Sequence, residues 1–162
     1  MKATVVYDSQ FGNTKKIAHA IGGGLGSSEN VKVIKIGNLK VEDYEGIDLL
    51  VVGCPTQRLT ATPPISDWIK SLPDKSLKGI RAAAFDTRLT EEKINEIRVL
   101  AFFVKIFGYA AKPIAKGLMK KGADLAVNPE GFYVADTEGP LLEKELERAA
   151  EWGVNIGTSS LS

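Results

Sequence analysis

One cysteine, one histidine and no excess of either charge sign narrow what this 162-residue chain can be. A lone cysteine excludes an intramolecular disulfide and a cysteine-built zinc site, and with a single histidine any metal centre would have to be made of carboxylates. No metal is expected. A formal net charge of +1 gives no long-range field to gather nucleic acid or to hold the chain on anionic lipid, so neither is an expected partner. Long apolar runs are missing too. The N-terminal one ends at Asp8, before it could serve as a signal-peptide core, and none approaches the roughly 20 residues of a membrane span. The expected location is cytoplasmic. Repeats, low-complexity tracts and linkers are absent, so residues 1–162 are expected to form a single domain.

What is present is a globular composition, 44% hydrophobic and 25% charged. Ala3 to Tyr7 is an unbroken apolar and β-branched run, which suits a strand covered on both faces. Ile17, Ile21 and Leu25 then recur at helical spacing, and a glycine-rich stretch from Gly22 to Gly26 ends that helix. Val31 to Ile36 alternates as a second strand, and Asp48 to Gly53 reads as a third. Pro63 and Pro64 open a short helix that includes Trp68. Gly79 to Phe85 reads as a fourth strand, followed at Thr90 by a helix N-cap with Glu91 and Glu92 in the first turn. Gly108 interrupts the helical region, which resumes from about Tyr109 to Lys121. Asp124 to Val127 and Phe132 to Ala135 are expected to form the last strand, with a turn between them. The final helix is expected to bury Leu142, Leu146, Ala149 and Ala150. Alternation of this kind predicts an α/β, doubly wound parallel sheet with helices on both faces, and right-handed crossovers bring the strand-to-helix loops to one edge.

The first of those loops, Ser9-Gln10-Phe11-Gly12-Asn13-Thr14, offers hydroxyls, amides and a glycine at a helix N-terminus. Backbone N–H groups there point at an anion, and neutral side-chain donors suit a phosphate monoester. Neither a Walker loop nor a G-x-G-x-x-G dinucleotide fingerprint occupies this turn.

These residues resemble the flavodoxin family. Tyr7-Asp8-Ser9 with Gly12-Asn13-Thr14 is similar to the family's FMN-phosphate loop, and Asp48 through Gly53-Cys54-Pro55-Thr56 to its third strand and second flavin loop. Ala84-Phe85-Asp86-Thr87-Arg88 resembles the third loop, and Glu138-Gly139-Pro140 to Trp152-Gly153 the last helix, so the likeness covers nearly the whole chain. It implies a flavodoxin-like five-stranded parallel sheet in order 2-1-3-4-5, of the short form with an extra helical segment after the third flavin loop. It further implies non-covalent FMN and electron transfer through an exposed flavin edge. The implied flavin contacts are Ser9, Gln10, Phe11, Gly12, Asn13 and Thr14; Pro55, Thr56, Gln57 and Arg58; and Asp86, Thr87 and Arg88. No catalytic residue is implied. The sequence departs from the family in placing Gln57, Arg58 and Leu59 in the second loop, and Arg88 and Leu89 in the third, where ring-stacking aromatics commonly stand.

Cys54 reads as a small core residue, His19 as a surface residue, and Trp68 and Trp152 as packing residues. The leading expectation is an electron carrier whose partner is a redox protein or a small-molecule acceptor. The alternatives are an FMN-dependent oxidoreductase acting on quinone-like acceptors and a flavodoxin-like binding module of weak flavin affinity. Ile94 to Phe107 is apolar around nearly its whole helical circumference, and a homodimer through it is expected.

Overall fold

Successive side chains of a strand point to opposite faces, and here both faces are apolar because both are covered. A computed structural model describes residues 1–57 and 59–159, the side chains of 106 and 107 excepted. Its strands are β1 (Ala3–Tyr7), β2 (Val31–Lys35), β3 (Leu49–Pro55), β4 (Arg81–Leu89), β5 (Asp124–Leu125) and β6 (Glu130–Val134). The sheet runs β2-β1-β3-β4-β5, with β6 also paired to β4, and every pairing in it is parallel. Strand order and flanking helices agree with the sequence expectation; the sixth strand is an addition.

Its origin lies in the last strand. β5 pairs with Arg81 and Ala82, and β6 pairs with Phe85 through Leu89. Between them β4 advances from Ala82 to Phe85 while its neighbour advances from Leu125 to Glu130, so residues 126–129 loop out. The turn residues Asn128 and Pro129 therefore interrupt one edge strand without reversing it.

The helices are α1 (Asn13–Leu25), α2 (Pro63–Ser71), α3 (Glu91–Asn95), α4 (Arg98–Phe107), α5 (Ala111–Lys120) and α6 (Glu145–Thr158). One core lies between the sheet and α2 with α5, where Val6, Val52, Cys54, Ile65, Ile114 and Leu118 are buried. The other lies under α1 and α6 and contains Val5, Val51, Ile17, Phe85, Phe132 and Trp152. Phe85, Phe132 and Trp152 meet edge to face with centroids 6.0–6.3 Å apart, each full burial contributing about 1.5–3 kcal/mol before entropy is counted. Trp68 packs edge-on against Tyr44. Both tryptophans are thus packing residues, as expected.

The final helix differs from expectation. It begins only at Glu145, and its buried face carries Ala149, Trp152, Gly153 and Ile156. Leu142 and Leu146 are exposed. The face is set by close contact with α1: a Cβ on Gly24 would strike the Ala150 carbonyl oxygen, and one on Gly153 the carbonyl of Ile21.

Candidate functional site

β1 ends at Tyr7, and the chain reaches α1 through Gly12, whose φ of 92° is a conformation that L side chains rarely adopt. The turn is built on one hydroxyl. Ser9 Oγ accepts from the Gly12 N–H at 3.1 Å and the Lys15 N–H at 3.3 Å, while the Ser9 N–H donates to Asp8 Oδ1 at 2.9 Å. Gly12 is the N-cap position and has no side chain to cap with, so the first N–H groups of α1 are left for another acceptor. Among the described residues none accepts from the N–H of Asn13 or Thr14.

Two side chains tie this loop to its neighbours. Asn13 Nδ2 donates to the Glu138 carbonyl at 3.1 Å, and Thr14 Oγ1 shares a buried 2.8 Å hydrogen bond with Thr87 Oγ1. Across the opening, Gln57 Nε2 donates to Gln10 Oε1 at 2.8 Å. Gln57 also pairs in both directions with Thr60 through the backbone, and the tight turn so made holds Leu59 at a φ of 64°.

A cleft at the carboxyl ends of the strands results. Its walls include Ser9, Gln10, Phe11, Asn13, Thr14, Pro55, Thr56, Gln57, Thr87 and Arg88. Ten of the thirteen flavin contacts implied by the sequence therefore meet in one place. Of the other three, Gly12 shapes the turn without lining the cleft, Arg58 lies outside the described residues, and Asp86 is turned away from it.

The segment Asp86-Thr87-Arg88, expected as a loop, is strand: β4 continues to Leu89, paired with β3 through Thr87 and with β6 throughout. Thr87 faces α1, and Asp86 faces α5. The Asp86 carboxylate is fully buried and accepts two bonds from Arg88, Nε to Oδ1 at 2.6 Å and NH2 to Oδ2 at 2.8 Å, plus the Ala111 N–H at 2.8 Å. Burial pushes this carboxyl above the ordinary aspartate value, against the pull of Arg88. Arg88 in turn lies over the Tyr109 ring, 3.8 Å from its centroid. The Ala110 N–H donates to Thr56 Oγ1 at 3.2 Å, so the start of α5 is held by residues from both the second and third loops.

Two wall residues escaped the sequence reading, Val134 and Thr137, and a third, Leu89, is expected in the third loop without being counted as a contact. Thr137 follows the last strand, and the rule that placed the other loops at this edge applies to that loop equally. Val134 and Leu89 are adjacent strand residues in register, information that depends on the sheet. Cys54 is fully buried, its thiol pushed up to about 12 by desolvation, and Sγ accepts the Thr62 N–H at 3.5 Å. It is a core residue, as expected. His19 is exposed and tilts against Tyr7. Lys15 and Lys16 are exposed and do not line the cleft. No helix among the described residues is long and apolar enough to cross a membrane.

The chain matches the family model described as "Flavodoxin domain" over residues 4–121. A curated flavodoxin of Picosynechococcus sp. is 31% identical over 67 residues, an alignment that spans 41% of this chain and 38% of that relative. Among solved structures, a flavodoxin from the domain Archaea superposes with a TM-score of 0.70 at 25% identity, covering 97% of this chain and 96% of that one. Oxidised Flavodoxin 1 from Bacillus cereus superposes over all of both chains with a TM-score of 0.73 at 18% identity, a likeness of fold alone.

Proposed function

The chain belongs to the flavodoxin domain family, and we propose that it binds one FMN non-covalently in the cleft at the carboxyl ends of the strands and transfers electrons through it. The observation that carries this reading is the convergence of the Ser9 to Thr14 turn with the Pro55 to Gln57 and Thr87 to Arg88 segments around one opening. The donor set fits a phosphate monoester. The N–H groups of Asn13 and Thr14 have no acceptor among the described residues, and Ser9, Asn13 and Thr14 all line the cleft. The cation on the cleft wall, Arg88, is already bound to Asp86, so the phosphate would be held by neutral donors and the dipole of α1.

When bound, FMN supplies reversible storage of one or two electrons. The chain's own part is to hold and expose it. Pro55, Thr56, Gln57, Thr87, Arg88 and Leu89 line the cleft and would flank the ring, with Phe11 the one aromatic side chain among the lining residues. The cleft opens at the carboxyl ends of the strands, the side from which a redox partner would reach a flavin held there.

A visible spectrum of the purified protein, followed by FMN titration, tests the reading. Yellow colour and saturable FMN binding, with riboflavin much weaker, are expected; no binding would refute it. Steady oxidation of NADH or NADPH by the isolated holoprotein would replace the carrier with an oxidoreductase.

A further inference from the structure

Net charge conceals an uneven distribution. Between Ile97 and Gly122 stand Arg98, Lys105, Lys112, Lys116, Lys120 and Lys121, with no aspartate or glutamate among them. The rest of the chain then holds 15 of the 21 basic residues and all 20 acidic ones, and is net negative by five. The positive segment is α4 and α5, of which α5 packs on the sheet and begins beside the cleft.

Its placement is fixed by contacts already described. Thr56 and Asp86 hold the start of α5, and Tyr109, between the helices, lies under Arg88. A groove of about 880 Å³ opens on the other side of Arg88, lined by Leu59, Val104, Lys105, Tyr109, Lys112 and Lys116 among others. Lys112, Lys116 and Lys120 recur every four residues, so they form a row along one face of α5 with steps of about 6 Å. Lys105, Lys112 and Lys116 are exposed, and among the described residues none of them has a carboxylate partner within 4 Å. Val99 and Phe102 on α4 are 68% and 62% exposed. Glu91 borders the Phe102 side of α4, whereas no carboxylate lines the groove among its described residues; apolar surface beside a groove carrying charge of one sign has the anatomy of a protein interface.

We propose that this face of α4 and α5 docks a negatively charged redox protein, bringing it over the flavin edge. The occupant follows from charge. A second copy seated groove to groove would set Lys105, Lys112 and Lys116 against their own images, and no carboxylate lines the groove among its described residues, so a homodimer through it is disfavoured. An acidic surface gains from Lys105, Lys112 and Lys116, and steering by them raises the encounter rate most at low salt.

The inference rests on the electron-transfer reading, and the test separates the two. The probes are an acidic [2Fe–2S] ferredoxin and the cationic cytochrome c, each measured for binding to the FMN-loaded protein at ionic strengths of roughly 0.01 and 0.15 M, where screening lengths are about 30 and 8 Å. The parent should bind the acidic probe at least tenfold more tightly at the lower salt and prefer it to the cationic one. Lys105→Glu, Lys112→Glu and Lys116→Glu together should remove that binding and create affinity for cytochrome c, with FMN affinity unchanged. The same reversal at Lys2, Lys32 and Lys35, on or beside β2 at the far side of the sheet, should leave most of it. Equal loss from both triple variants, preference of the parent for cytochrome c, or a parent dimer dissociated by Val99→Ser with Phe102→Ser would overturn the proposal. Absence of FMN binding with the salt-dependent docking intact would overturn the electron-transfer reading alone.

Discussion

Arg88 holds the buried carboxylate of Asp86 with two hydrogen bonds from two positions along the same strand, while its guanidinium lies flat on Tyr109. The Asp86 oxygen that receives Arg88 NH2 also receives the first N–H of α5. One ion pair thus fixes the end of β4, the start of α5 and the wall shared by the cleft and the basic groove. A buried pair of this kind gains little over an apolar substitute, but removing one member strands the other.

Arg88→Met should therefore destabilise the protein by about 3–5 kcal/mol near neutral pH, and adding Asp86→Asn should recover part of that loss. The sign of the pH effect follows from the raised Asp86 value. A carboxyl that ionises later in the folded than in the unfolded chain contributes stability fully present below the ordinary aspartate value, and lost as pH climbs through its folded value. Without Arg88 the folded value rises further. Urea unfolding at about pH 4 and about pH 7 should show the smaller difference from the parent in acid; an equal difference at both would mean that Asp86 is not the group left unpaired.

Ser9 and Thr14 are predicted to matter for the phosphate of FMN. Both residues line the cleft, and the N–H of Thr14 is one of the unclaimed groups at the start of α1. Each hydrogen bond to a charged group is worth about 1.5–3 kcal/mol, so Ser9→Ala with Thr14→Ala should weaken FMN at least about tenfold. Riboflavin, which has no phosphate, should lose much less. Titration of both ligands into both proteins checks this, and an equal loss for riboflavin would place the phosphate elsewhere.

Cys54 should be inert in the folded protein. Desolvation holds its thiol near 12, so almost no thiolate is present at neutral pH, and the sulfur is fully buried. Iodoacetamide followed by mass spectrometry should show no alkylation until denaturant unfolds the chain. Rapid alkylation under native conditions would contradict the packing of β3 against α2.

The strand-to-helix loops were legible because their chemistry is local. A strand, a polar turn with one glycine and a helix suffice to identify the Ser9 to Thr14 turn, and an apolar run ending in Pro55-Thr56 marks the second. The third misled because Asp86, Thr87 and Arg88 are polar and look like loop. Each finds a partner invisible in one dimension: Asp86 and Arg88 find each other on one face, and Thr87 finds Thr14 on the other. Strand pairing then continues through all three. Leu146 differs for another reason: the apolar spacing Leu142, Leu146, Ala149 starts at a residue that precedes the helix. The buried face is instead dictated by how closely α6 approaches α1.

That approach gives a paired prediction at adjacent glycines. Both lie in the last turns of α1, and both pose the same backbone cost, since glycine in a helix is less favourable than alanine by roughly 0.5–1 kcal/mol. They differ in what a methyl group would meet. At Gly23 there is nothing within 4 Å, whereas at Gly24 the methyl would overlap the carbonyl oxygen of Ala150 on α6. That oxygen is backbone in the middle of a helix and cannot turn aside as a side chain would; α6 must shift as a unit, drawing Trp152 away from Phe85 and Phe132. Overpacking of this sort costs about 1–3 kcal/mol, more than the helical gain. Gly23→Ala should therefore raise the urea midpoint and Gly24→Ala lower it, with the near-ultraviolet circular dichroism of Trp152 altered in the second variant alone. Stabilisation by both would show that α1 and α6 lie farther apart than these contacts require.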